Sequence, residues 1–69
     1  MIKIVNNTDD LVGINPTQLW SIFAVTREGM SKIVAVTSTS REAEDAVEML
    51  QDLKSDDAYS IRSPRRLSN

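Results

Sequence analysis

Between Leu19 and Leu53 the hydrophobic period of the chain changes from that of a strand to that of a helix. The run Leu19-Trp20-Ser21-Ile22-Phe23-Ala24-Val25-Thr26 is aromatic and β-branched, and Lys32-Ile33-Val34-Ala35-Val36-Thr37 is its partner. Between them Arg27-Glu28-Gly29-Met30 sets a glycine where a hairpin turn needs positive φ. A hairpin over Leu19–Thr37 follows. A type I turn with Gly29 as the left-handed bulge residue places Trp20 opposite Val36 and Ile22 opposite Val34. Those four then share one face, with Ala24 and the stem of Lys32 near its edge, and Leu19, Phe23, Val25, Ile33 and Ala35 take the other. A two-residue Glu28-Gly29 turn shifts the pairing and suits a glutamate before glycine less well. Under either register both faces are apolar at the middle, and one helix covers only one of them.

That helix is predicted near Ser40–Lys54. Thr39 followed three residues on by Glu42 matches a capping box, in which the hydroxyl takes the Glu42 amide and the carboxylate returns to the cap. Ala43, Ala46, Val47, Leu50 and Leu53 recur at helical spacing as the buried stripe, with Met49 on its flank. Glu44, Asp45, Glu48 and Asp52 face away, and Lys54 suits the negative end of the helix dipole.

Upstream, Ile2–Val5 reads as a short strand and Asn6–Asp10 as turn formers. Leu11, Val12 and Ile14 lie in an irregular connection, stopped at Asn15-Pro16 and expected to fold back on the sheet. Downstream, Ala58–Arg62 alternates as a last strand, ended by Pro64. It pairs either antiparallel to the first hairpin strand or parallel to the second. The expected architecture is α+β: a small three- or four-stranded, mostly antiparallel sheet with one helix packed on one face. Residues 1–62 form a single domain and 63–69 a flexible basic tail.

Composition narrows the chemistry. The 69 residues include no Cys and no His, which removes disulfides and the usual thiolate and imidazole zinc sites. A core this small supplies about 3–5 kcal/mol, so self-association or a partner would add useful stability. The chain has no 18-residue apolar run and no signal-peptide pattern at Met1–Asn6, so a cytoplasmic protein without a membrane span is expected. The net charge of −2 argues against general nucleic-acid binding. Seven of the ten acids (Glu42, Glu44, Asp45, Glu48, Asp52, Asp56 and Asp57) fall in the helix and the loop after it. Arg62, Arg65 and Arg66 make the end of the chain basic.

No catalytic constellation emerges. Ser38, Thr39, Ser40 and Ser63 have no histidine to activate them, and capping accounts for Thr39 and Ser40. Gly13 and Gly29 are too few for a phosphate-cradling loop, and the stretch from Asp52 to Asp57 lacks the pattern of a calcium loop. No catalytic, cofactor or metal site is expected, and the protein is read as a non-enzyme. Ser63-Pro64-Arg65-Arg66 resembles the Ser-Pro-basic elements of some minor-groove DNA-binding tails, although a solubilising tail explains it more simply. Trp20 is assigned to the core, and Tyr59 is expected half-buried with its hydroxyl at water.

The second apolar face of the sheet is the feature that asks for a covering. Ile2, Ile4, Leu11, Val12 and Ile14 would cover it from within the chain. Alternatively part of it, or a strand edge, meets another molecule. In its size, its lack of catalytic residues and its hairpin–helix–strand plan over Leu19–Arg62, the chain resembles the small accessory proteins encoded by phages. That resemblance implies a protein that works by binding a host factor, including inhibitors of bacterial defence systems. The expected partner site joins Phe23, Val25 and Ile33 to the acidic row Glu44, Glu48 and Asp52. Its expected target is a basic-rimmed protein such as a defence or nucleic-acid-processing enzyme. A homodimer, through the sheet face or a strand edge, is also expected. The alternative function is a nucleic-acid or nucleotide binder that uses Arg62, Arg65, Arg66 and Phe23.

Overall fold

The computed structural model describes residues 1–54 and 56–64, with Thr8 described in its backbone alone. Arg65, Arg66 and the rest of the expected tail lie outside the described residues. Among the described residues four strands, β1 (Ile2–Ile4), β2 (Trp20–Val25), β3 (Ser31–Thr37) and β4 (Ala58–Arg62), form one sheet in the order β1-β3-β2-β4. Every neighbouring pair is antiparallel, so the last strand adds to the first strand of the hairpin. An α-helix, α1 (Ser40–Leu53), joins β3 to β4 across one face. The fold is α+β.

The hairpin begins as its glycine dictates. Gly29 has φ +82°. Its N–H donates to the Thr26 carbonyl (3.0 Å), and the Thr26 N–H donates to the Met30 carbonyl (2.8 Å). A β-branched residue at position 29 would be strained there. From this turn the pairs Val25↔Ser31, Ala24↔Lys32 and Phe23↔Ile33 follow the expected register. Beyond Phe23 it breaks. A bulge leaves Val34 without a partner on β2, and the pairs become Ile22↔Ala35, Ser21↔Val36 and Trp20↔Thr37. The expected pairs Trp20–Val36 and Ile22–Val34 are therefore not formed. A one-residue slip moves side chains to the opposite face. Ala35 accordingly joins Ile22 beneath the helix, and Val36 turns to the other side.

The core under α1 is built from small residues. Ile22, Ala35, Ala43 and Ala46 are fully buried together, with Trp20, Val34, Val47, Leu50 and Tyr59 packed around them. Alanines on both the helix and the sheet let the two approach closely, at the cost of a thin apolar filling. The helix starts at the expected cap: the Glu42 N–H donates to Thr39 Oγ1 at 3.2 Å. The reciprocal half of the capping box differs. Glu42 Oε1 accepts the Ser38 N–H (3.1 Å), and its other oxygen meets the Met1 ammonium. The carboxylate thereby ties the start of α1 to the start of β1.

Two expectations at the far end of the helix are corrected. Leu53 is 74% exposed, and Met49 is exposed as well, because the packed stripe ends with Leu50. Tyr59 is half-buried as expected, but its hydroxyl is not left to water alone: it points at the last turn of α1, in donor range of the Leu50 (3.3 Å) and Lys54 (3.1 Å) carbonyls. The Leu50 carbonyl also accepts the Lys54 N–H at 2.8 Å, so the hydroxyl adds a second donor at the helix end. Desolvation raises the Tyr59 pKa, with the Asp57 carboxylate adding to the effect. Lys54 itself is the C-cap residue.

Two substitutions test these contacts. Thr39→Ala should lower the unfolding free energy by about 1 kcal/mol through loss of the cap, measured by denaturant melts. Tyr59→Phe should lower it by about 1 kcal/mol through the unmade bond to the helix end. An unchanged midpoint in either variant would show that the contact is not made.

Candidate binding face

On the side of the sheet away from α1 the chain covers its own strands only in part. Val36 is fully buried there, and Val5, one residue past β1, is buried too. The Val5 N–H donates to the carbonyl of the bulged Val34 at 2.9 Å. Phe23, Val25 and Ile33 are half-buried. Ile2 and Ile4 do not cover this face as expected, since they pair with Thr37 and Ala35 and so lie on the helix side. Val12 does not cover it either, being 78% exposed.

The covering comes from two 3-10 turns that the sequence marks by their caps. The first, Thr8–Leu11, is capped by Asn7, whose side chain accepts the Asp9 N–H at 2.9 Å. The Asp10 carboxylate reaches back to the N–H groups of Asn6 (2.7 Å) and Asn7 (3.2 Å). The second, Pro16–Gln18, has Asn15 as cap and proline at its first position, where no N–H is needed. Asn15 Oδ1 accepts from the Thr17 N–H (3.1 Å) and hydroxyl (2.6 Å). The buried Ser21 then donates from Oγ to the Pro16 carbonyl at 3.0 Å, holding this turn against β2.

What remains open is a groove between these turns and the β4 edge. Leu11, Pro16, Ser21, Phe23 and Ile33 line one part of it, and Val25, Ser31 and Ser60 line its continuation. Arg62 and Ser63 border both. Register explains the meeting of Arg62 with Phe23. Ser21 pairs with Arg62 and Phe23 with Ser60, which sets Arg62 diagonal to Phe23 on the same face. The guanidinium carbon lies 5.0 Å from the centroid of the ring, within cation–π range. Arg62 is the charged side chain among the groove's described lining residues.

The composite patch expected from the sequence does not form. Phe23, Val25 and Ile33 do come together, but Glu44, Glu48 and Asp52 lie on exposed positions of α1, across the sheet from them. The helix covers the face that carries Ile22, so its acids cannot border the face that carries Phe23. Of the three arginines expected to meet nucleic acid in the alternative reading, Arg62 stands in the groove, and Arg65 and Arg66 lie outside the described residues. The groove residues that periodicity alone misses are Pro16, Ser21 and Ser63; the Asn15-Pro16 cap signal is the available pointer to the first.

Among the described residues no three metal-ligating side chains come together, and no helix is long and apolar enough to cross a membrane. The Asp10 carboxyl is held below the ordinary range by the Asn6 and Asn7 N–H groups, with Lys3 adding a weaker attraction. A carboxyl with a lowered pKa contributes its stability fully above the ordinary aspartate range and loses it as pH falls through the lowered value. An NMR titration should therefore give Asp10 a midpoint below that of free aspartate, with the Asn6 and Asn7 amide shifts following the same transition. An ordinary midpoint would mean that the turn carrying Leu11 is not pinned this way. Comparison of the chain with protein-family models, with curated proteins and with solved structures gave no match.

Proposed function

We propose that the protein is a non-enzymatic binding protein that acts in the cytoplasm by occupying a surface of a protein target. In this role it resembles a phage-type inhibitor or modulator of a host or defence enzyme. The observation that supports this reading is the groove opposite the helix, with Phe23 half-buried at its centre and Arg62 over the ring. Aromatic and arginine side chains that a partner desolvates are frequent carriers of interface energy, and here Phe23 is half-buried and Arg62 exposed beside it. A cation at the rim of an apolar, hydroxyl-lined groove favours a target segment with an apolar or aromatic side chain beside a carboxylate. The acidic row of α1 is a separate surface and serves solubility in this reading.

One observation favours a second reading. An arginine close to an aromatic ring also offers a surface for a nucleobase, and Arg62 lies within cation–π range of Phe23. Binding would then depend steeply on salt.

Affinity capture from a bacterial lysate, with and without nuclease, separates the two. The intact protein should retain a nuclease-resistant protein partner. Phe23→Ala should weaken that capture by about 2 kcal/mol or more. Neutralising Glu44, Glu48 and Asp52 together should leave it unchanged. Capture that is abolished by nuclease, or by the acidic neutralisation alone, would contradict the groove as a protein site.

A further inference from the structure

The two outer strands of the sheet are unequally protected. β1 spans three residues and has Lys3 at its centre, the short charged form in which natural sheets blunt an edge. β4 spans five residues, Ala58-Tyr59-Ser60-Ile61-Arg62, with no lysine, proline or glycine among them. Its cation is turned in over Phe23. Four of its five residues are exposed, and Ile61, opposite Ile22 on the helix side, is 40% exposed.

The sequence of this strand complements itself when reversed. We infer that two copies pair antiparallel along their β4 edges, about a two-fold axis at Ser60 perpendicular to the sheet. Tyr59 then stands opposite the partner's Ile61, an aromatic against a β-branched side chain, and Ile61 is covered in turn. Ser60 meets the partner's Ser60. Arg62 faces the partner's Ala58, at the end of the strand where the partner's Asp56–Asp57 turn leads in, so each copy brings a cation toward the acids of the other. The Asp56 and Asp57 pair precedes β4 and Arg62 ends it, so antiparallel pairing is the arrangement that joins opposite charges at both ends. The guanidinium carbon lies 5.0 Å from the Phe23 ring centroid, and the guanidinium carries five N–H donors for an acid of the second copy.

Such an axis keeps equivalent faces on the same side. The two sheets become one continuous sheet with both helices above it, and the two Phe23–Arg62 grooves meet across the axis below it. A second copy would in this way extend the groove. The inference is independent of what the groove binds.

The test is a charge-swapped pair examined by sedimentation, with circular dichroism to show that each variant folds. The intact protein should sediment as two chains in the micromolar range. Asp56→Arg and Arg62→Asp, each alone, place like charges at both ends of the pairing and should weaken the dimer by about tenfold or more. Mixed in equal amounts, the two folded variants should recover the dimer, because both arginines of the first variant then meet acids of the second. A single chain at high micromolar concentration of intact protein would overturn the inference. So would a dimer unmoved by both single variants, or a mixture that stays monomeric.

Discussion

The structure depends on one extra residue in β3. Without a partner for Val34, the second half of the hairpin is displaced by one position, and the small methyl of Ala35 comes to lie under α1 beside Ile22. Ala43 and Ala46 on the helix meet it in one cluster with Ile22, and Trp20, Val34, Val47, Leu50 and Tyr59 pack around them. In the unshifted register Val34 would stand opposite Ile22, Ala35 would leave the helix side, and Val36 would lie on it. Val36 instead fills the other face, where Val5 is also buried and the two 3-10 turns add a partial covering. The bulge thus divides the apolar residues of the hairpin between two thin layers. Among the described residues Ile22, Val36 and Thr37 are the largest side chains that are completely enclosed, which is a small inventory for a chain without disulfides.

How far the sequence reveals this varies with the kind of signal. The hairpin, the helix and the last strand are legible because their periodicities are long and unbroken and because Gly29 and Thr39 mark where each unit turns or begins. The bulge is not legible. Val34 is as β-prone as its neighbours, and nothing in Ile33-Val34-Ala35-Val36 marks the residue that goes unpaired. Face assignments that depend on it are therefore correct for Phe23 and Ile33, on the turn side, and exchanged for Ala35 and Val36 beyond it. Leu53 fits the helical stripe by spacing yet lies past the last packed turn, a matter of where the sheet ends rather than of period.

The candidate site is half legible for the same reason. Phe23, Val25 and Ile33 share a face through local pairing near the turn, and the sequence groups them correctly. Arg62 joins them only through the placement of β4 against β2, a choice between two pairings that the sequence leaves open. A linear reading puts the acidic row in the same patch because both are exposed. A sheet with a helix on one face separates them. This separation changes the character of the proposed surface from acid-flanked to cation-flanked, and hence the kind of target it favours.

The most direct measurement is the cross-strand contact pattern of the hairpin by NMR. The bulged register predicts backbone contacts between Phe23 and Ile33, then between Ile22 and Ala35 and between Ser21 and Val36, with Val34 skipped. Contacts of Ile22 with Val34 and of Trp20 with Val36 would show an uninterrupted ladder. They would return Val36 to the helix side and contradict the two-layer division on which the groove rests.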